Sequence, residues 1–597
     1  MSTTGRATRT RKPPPSRVST PGSVLLASPD AHAGIRWLLF AEPAEILLAK
    51  SIAEVPAVLQ RVEEAARAGL TAAGFVSYEA APAFDPHLTA LPPSELPPAW
   101  FGIYHEARET APPDFKADFE LSSWSADTGP EEYARAIRRI KDYIAAGDTY
   151  QVNYTMRLRA QLRGSGPAFF TQLHRAQHAP YSAYIDTGRH RVLSASPELF
   201  FRLEGDRITS KPMKGTAPRG LWADQDERRA ADLAASPKDR AENVMIVDLV
   251  RNDIGRIAKV GSVRAPRLFD VERYDTLWQM TSTIEAQTRA GLGDVFAALF
   301  PCGSVTGAPK VRTMEIIREL EPSARGVYTG AIGFAGPGPL AQFNVAIRTV
   351  VVDAETGKAE YGVGGGVTWG STAAGEYQEC LLKARVLSET RPTFCLLETM
   401  LWEKGGFFLQ QRHLARLSAS ARYFGFSLDE ARLRRRLDAL GSALGGGRHR
   451  VRLLLQRNGE VELEHAALPR AAGAKVARVA LARSPIDEND PFMYHKTTHR
   501  VVYEKARAAR PDVDDVVLVN SHGELTEATI ANLVVDIGGR LCTPPVRCGL
   551  LAGTFRDELL ARGEVEERVL TPPDLRRARA VYLVNSVRRY VTAALVE

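Results

Sequence analysis

Ser210-Lys211-Pro212-Met213-Lys214-Gly215-Thr216 places a lysine in a turn bounded by proline and glycine, downstream of Ser196-Pro197-Glu198-Leu199-Phe200. An amine attacks carbon only when unprotonated. It therefore needs a site that lowers its pKa or a neighbour that takes its proton, and a carboxylate serves the second purpose. Taken alone, Lys214 reads as a solvated turn residue, because long charged side chains mostly lie on surfaces. The surrounding sequence makes it a candidate nucleophile, with Glu198 managing protons.

Downstream stand Glu242-Asn243-Val244-Met245-Ile246-Val247-Asp248-Leu249-Val250-Arg251-Asn252-Asp253-Ile254-Gly255-Arg256, Gly303-Ser304-Val305-Thr306-Gly307-Ala308-Pro309-Lys310 and Phe343-Asn344-Val345-Ala346-Ile347-Arg348-Thr349. Gly362-Val363-Gly364-Gly365-Gly366-Val367 and Glu376-Tyr377-Gln378-Glu379 follow. Glu376 and Glu379, three apart, share one face of a helix and can share a Mg²⁺ with Glu242; the bland reading is a solvated acidic face. Arg348 sits among apolar residues, where a guanidinium must find an anion, either a substrate carboxylate or a structural salt-bridge partner. Gly364, Gly365 and Gly366 let a backbone approach a ligand and aim N–H groups at it.

The order of these words, over roughly residues 120 to 390, resembles the chorismate-utilising enzyme family. Anthranilate synthases of that family carry a small residue at the position of Lys214, whereas aminodeoxychorismate synthases carry the lysine. The resemblance implies Glu242 and Glu379 as direct Mg²⁺ ligands, Glu376 as a second-sphere or water-mediated one, and Arg348, Tyr328 and Thr216 as substrate contacts. Trp278-Gln279-Met280 departs from the family, which often has His-Leu there; Gln is neither acid nor base near neutral pH, so no catalytic role is carried over to Gln279.

Further along, His413-Leu414-Ala415-Arg416-Leu417, His495-Lys496-Thr497-Thr498-His499-Arg500 and Leu525-Thr526-Glu527-Ala528-Thr529-Ile530-Ala531-Asn532-Leu533 resemble the branched-chain aminotransferase and aminodeoxychorismate lyase family of pyridoxal 5'-phosphate enzymes. Such a cofactor needs a lysine, a carboxylate for the pyridine nitrogen and donors for the phosphate. By resemblance these are Lys496, Glu527, and Arg416 with Gly553 and Thr554, Ser586 adding a phosphate contact. The plain alternatives are a surface lysine, an exposed turn acid and one more cation on a basic helix.

At 597 residues the chain is long enough for two to four domains. Residues 1–22 read as a disordered basic tail, 23–390 as an aminodeoxychorismate synthase domain and 394–597 as a lyase-like domain. Periodicity supports helices over Ile52 to Ala68, Glu131 to Ala146 and His413 to Phe424. Strands are expected over Phe394 to Trp402, Phe407 to Gln410, Arg450 to Gln456 and Lys475 to Leu481. The fold expected from the resemblance is α+β: a large chorismate-binding α/β sandwich followed by a smaller fold-type IV domain.

Hydrophobic content of 44% with 25% charged residues is ordinary for a soluble protein, and no apolar run approaches the ~20 residues of a membrane span. The formal charge of +7 is partly the Arg-rich start, which also has the composition of an organellar transit peptide but lacks the apolar core of a secretory signal. No basic stripe interleaved with aromatics suggests nucleic acid. Five scattered cysteines without metal-ligand spacing read as a reduced cytoplasmic protein. None sits on a nucleophile elbow, so a separate glutamine amidotransferase subunit is expected to supply ammonia.

The leading expectation is conversion of chorismate and ammonia to 4-amino-4-deoxychorismate, then elimination of pyruvate to 4-aminobenzoate for folate synthesis. Relatives of the second family are commonly dimeric, which implies a homodimer through that domain. The rival reading is an anthranilate synthase component fused to a branched-chain or D-amino-acid aminotransferase, against which Lys214 stands.

Overall fold

A computed structural model of the chain describes residues 18–30, 34–388, 391–469 and 476–596. It contains two compact units, with the main boundary at Arg391/Pro392, where the proline predicts it. The segment Arg219–Arg229, assigned from sequence to the first domain, clusters instead with the second unit. The Tyr423 hydroxyl donates to Gly220 O at 2.7 Å, and Arg219 donates to Tyr423 O at 2.8 Å with its guanidinium 4.4 Å from that ring. These partners lie 203 and 204 positions apart, beyond the reach of local pattern.

Residues 1–17 of the expected tail lie outside the described residues. Residues 18–22 depart from the tail reading: Val18 is buried in the core and Gly22 N donates to Asp186 O at 2.7 Å.

The first unit is a sandwich of an 11-stranded and a 10-stranded antiparallel sheet. Strand Val24–Asp30 explains the layering. Val24 and Leu26 pack between the sheets against Phe75 and Trp100, while Leu25 and Ala27 face the helices Pro130–Ala145 and Gly166–Gln177. Buried on both faces, such strands read as continuous apolar runs without alternation. Helices Val55–Arg67 and Pro237–Gly255 cover the outer face of the other sheet. Pro130–Ala145 buries Tyr133, Ile137 and Ile140 at helical spacing and begins with proline at its first turn, where no intrahelical N–H is required.

Two local features shape the first cavity. Lys214 lies on a strand, Met213–Pro218, and not in a turn; a bulge opposite Leu277–Gln287, with Gly215 at φ +98°, redirects the chain at the lysine. Strand Lys358–Val367 pairs along its length with Gln151–Gly164, but Thr349–Asp353 pairs only with its first part. Residues 362–367 therefore run past the end of that neighbour, beside Arg348, whose φ of 52° is left-handed.

The second unit joins a four-stranded antiparallel sheet to an eight-stranded mixed sheet. Helices Gln410–Phe424 and Glu430–Leu444 pack on the smaller one through Leu414, Leu417, Leu433 and Leu437. The strand expected over 407–410 is cut to Gly406–Phe407, because Leu409 turns left-handed at φ 56° and Gln410 starts the helix. Leu397 N donates to Lys496 O at 2.9 Å, which ties the strand Leu396–Glu403 to the segment carrying that lysine.

Candidate functional site

The first unit holds a cavity of about 370 Å³ lined by Glu198, Lys214, Thr216, Glu242, Tyr328, Arg348, Gly364, Gly366, Glu376 and Glu379, among others. Residues 181 positions apart thus converge, Glu198 and Glu379.

Glu198 is 2% exposed and accepts a 2.6 Å hydrogen bond from Ser304 Oγ and a longer one, 3.4 Å, from Met213 N. Burial pushes its carboxyl up to about 7, against those bonds and the nearby Lys214. Lys214 Nζ lies 3.6 Å from Glu242 Oε2, and Asn243, held by Ser282, donates to Lys214 O. A β-carbon on Gly366 would clash with Lys214 Nζ and come within 2.7 Å of Gln151 Nε2. Glycine at 366 is what leaves room for the amine.

Gly364 lines the cavity, as the sequence reading expects, whereas Gly365 departs from that reading. Gly365 does not line the cavity; its missing β-carbon leaves room for Glu376, whose Oε2 would be 2.9 Å away. Gly364 lies against the backbone of Tyr154 and Thr155. Thr216 Oγ1 donates to Gln279 Oε1 at 3.2 Å, and Gln279 Nε2 donates to Gly215 O at 2.8 Å, so Gln279 braces the bulge that carries Lys214.

Arg348 has no ion-pair or hydrogen-bond partner for its guanidinium among the described residues, and burial lowers its pKa. A guanidinium so placed calls for an anionic ligand. Tyr328, in the same lining, is buried, its ring 5.2 Å from the Arg157 guanidinium.

The lining carries five carboxylates, Glu198, Asp239, Glu242, Glu376 and Glu379, against four cations, Lys214, Lys238, Arg348 and Lys383. Lys383 lies 2.8 Å from Glu379 and holds its carboxyl below the usual range, while burial raises Glu376. The ligand oxygens of Glu242, Glu376 and Glu379 do not all lie within 4.8 Å of one another. Hard oxygen donors lining one cavity still suit Mg²⁺, which keeps several waters and so needs no closed protein cage.

The second unit holds a cavity of about 280 Å³ containing Lys496, Glu527, Arg416, Gly553, Thr554 and Ser586. Burial, reinforced by Arg416, pushes Lys496 down to about 8. Burial raises Glu527 to about 7, although Tyr503 Oη donates to it at 2.8 Å, Asn532 Nδ2 at 3.1 Å and Leu551 N at 3.2 Å. Arg416 is clamped by buried Glu398, donating at 2.9 and 2.7 Å, and gives a third bond to Ala552 O at 3.0 Å. Burial alone would raise Glu398, but Arg416 and His413 bring it down to about 2. Gly553 caps the helix Thr554–Ala561, Thr554 Oγ1 is 3.2 Å from His413 Nε2, and Ser586 Oγ donates to Thr399 O at 3.2 Å.

Sequence reasoning missed Ser304, which stands inside a quoted motif without a role. It also missed Glu398 and Tyr503, for which no local signal exists because only folding brings them to their partners.

Residues 24–389 match the family model described as chorismate binding enzyme, and residues 395–595 match the model described as amino-transferase class IV. The chain belongs to the chorismate binding enzyme family and carries a class IV amino-transferase region after it. Among curated relatives, aminodeoxychorismate synthase component 1 of Klebsiella aerogenes is 46% identical over 285 residues, 47% of this chain and 62% of that one. The protein of the same name from Escherichia coli K12 is 42% identical over 276 residues, 46% of this chain and 60% of its own. Anthranilate synthase component 1 1 of Haloarcula marismortui is 43% identical over 276 residues, 46% of this chain and 56% of its own. The chain spans about three fifths of the length of the curated relatives it matches. Identity of 42–46% to both kinds of enzyme does not separate their reactions; particular positions must. The crystal structure of anthranilate synthase component I from Streptococcus pneumoniae shares the fold, with a TM-score of 0.52 at 23% identity over 65% of this chain and 95% of that one. Among the described residues, no helix is long and apolar enough to cross a membrane.

Proposed function

We propose that the first unit converts chorismate and ammonia to 4-amino-4-deoxychorismate and the second eliminates pyruvate from it to give 4-aminobenzoate. The observation that carries this reading is Lys214, an amine in a cavity with a buried carboxyl, Glu198, whose raised pKa leaves it partly protonated near neutrality. Glu198 in its acid form protonates the departing 4-hydroxyl as water while the Lys214 amine bonds to the ring. Ammonia then places nitrogen at C4 as the Lys214–ring bond breaks, and Glu198 takes up the proton ammonia loses. Arg348 and Tyr328 hold a carboxylate, with Thr216 and the backbone of Gly364 and Gly366 beside the ring. Glu242 and Glu379, with Glu376 behind them, would hold Mg²⁺, which supplies charge neutralisation for the second carboxylate and the leaving oxygen.

In the second unit Lys496 would hold pyridoxal phosphate, a cofactor that supplies an electron sink. Glu527, held by Tyr503 and Asn532, would accept a hydrogen bond from the pyridine N–H and keep that nitrogen protonated. Arg416, Gly553, Thr554 and Ser586, which line the same cavity, would hold the cofactor's phosphate. Lys496, depressed to about 8, is suited to move a proton at the substrate carbon. The fusion favours a lyase over an aminotransferase, since product and substrate then match.

A separate amidotransferase supplies ammonia in this reading, and a homodimer forms through the second unit. Five free cysteines support a cytoplasmic location. The test is product identity from the purified chain with chorismate, ammonium and Mg²⁺: 4-aminobenzoate with pyruvate is expected, and anthranilate would overturn the assignment. Glutamine alone should be a poor nitrogen source until the amidotransferase is added.

A further inference from the structure

The cavity of the second unit is lined by five cations, Arg416, Arg450, Lys496, Arg500 and Arg588, and a single carboxylate, Glu527. Three of the cations are engaged within the protein or by the cofactor's chemistry. Arg416 is neutralised by Glu398. Arg500 donates to Thr529 O and lies 4.4 Å from the Tyr503 ring, which in turn donates to Glu527. Lys496 is the cofactor lysine of the reading above.

Arg450 and Arg588 are different. Both are exposed, at the open side of the cavity, and neither has an ion-pair partner among the described residues. Arg450 lies on the strand His449–Leu455, whose alternate residues Val451, Leu453 and Leu455 are buried. Its same-face neighbour Arg452 opposes Glu464 and pairs with it at 3.1 Å, whereas Arg450 opposes Ala466 and so has no cross-strand acid. Arg588 is presented by a tight turn after Ala580–Asn585, in which Asn585 Oδ1 accepts from Val587 N at 3.0 Å and Arg588 N at 2.8 Å. The turn is held by both bonds, and its arginine has no ion-pair partner among the described residues.

We propose that Arg450 and Arg588 form a subsite for a dicarboxylate, one guanidinium for each carboxylate of the substrate, and that they set the specificity of this cavity. Two arginines at the mouth, without acids of their own, cost electrostatic self-repulsion in the empty protein, and a doubly anionic ligand relieves it. The planar guanidinium fork matches a carboxylate bidentately. The buried end, with Arg416 and the helix start at Thr554, is left for the cofactor phosphate. This inference rests on the lyase reading for the substrate's name but not for the chemistry of the subsite.

The test uses the full-length protein loaded with pyridoxal phosphate and follows the cofactor's visible absorbance. Chorismate is the probe: it carries two carboxylates and no amine, and its binding at the first unit is silent in that signal. Benzoate is the monocarboxylate control. The wild type should bind chorismate at least tenfold more tightly than benzoate. Arg450→Gln and Arg588→Gln should each weaken chorismate about tenfold, raise KM for 4-amino-4-deoxychorismate similarly and leave kcat within about threefold. Arg450→Lys and Arg588→Lys should retain part of the preference, which separates lost charge from lost structure. Glutamine variants that bind chorismate as the wild type does, or a wild type without the dicarboxylate preference, would overturn the subsite. A wild type that shows the preference yet releases no pyruvate from 4-amino-4-deoxychorismate would sink the lyase reading while supporting the subsite.

Discussion

Ser304 Oγ donates a 2.6 Å hydrogen bond to Glu198 Oε1 inside the first cavity. A donor to a carboxylate stabilises its ionised form, so Ser304 works against the burial that raises Glu198 to about 7. In Ser304→Ala the alkaline limb, where Glu198 loses the proton it gives to the leaving hydroxyl, should move upward by about one pH unit for a bond worth ~1.5 kcal/mol. The pH dependence of 4-amino-4-deoxychorismate formation reads this directly, and an unmoved limb would mean that Glu198 does not govern the rate.

Glu198→Gln should reduce that reaction by at least about 100-fold, the usual scale of a lost proton-transfer group. Its effect on stability has the opposite sign. Because the folded pKa of about 7 exceeds the ordinary 4.5, the fold keeps a proton that the unfolded chain has released across that window. Wild-type stability from this group therefore falls as pH rises from about 4.5 to 7. The glutamine variant has no such proton to lose and should gain on the wild type by on the order of 1–3 kcal/mol at pH 8 relative to pH 4. Urea unfolding at the two pH values measures the difference; equal shifts would argue against the buried carboxyl.

Gly366→Ala adds only a methyl group, yet its β-carbon would clash with Lys214 Nζ where that atom now stands. The lysine tip can swing away at little energetic cost, so the protein should fold with a stability near that of the wild type. It should lose most 4-amino-4-deoxychorismate synthesis, on the order of 100-fold, because misplacing a nucleophile by an ångström is expensive. Pyruvate release from supplied 4-amino-4-deoxychorismate should be unchanged. Retained synthesis would mean that Lys214 works from another rotamer.

Cofactor uptake should report the depressed amine of Lys496. Only the free amine attacks an aldehyde, and burial puts its midpoint at about 8 where an exposed lysine would have 10.5. The initial rate of pyridoxal phosphate attachment to stripped protein should climb with pH and level off above about 8. Stopped-flow absorbance provides the measurement, and a rate still rising past pH 10 would contradict a lowered pKa.

Sequence by itself carried the two-part organisation, the amphipathic helices and the motif words in which many of the cavity residues stand. These are local properties. Helical spacing of Tyr133, Ile137 and Ile140 sets a buried face wherever the helix is placed, and motif words keep their spacing whatever lies between them. Tertiary structure alone decided that Ser304 meets Glu198, that Gly366 clears space for Lys214 while Gly365 clears it for Glu376, and that Glu398 takes Arg416. It also decided that Lys214 stands on a bulged strand and that Arg219–Arg229 joins the second unit. Each of these depends on burial and on contacts between distant positions. Desolvation and pairing, which set the pKa values of Glu198, Glu398 and Lys496, come into being only when the chain closes around them.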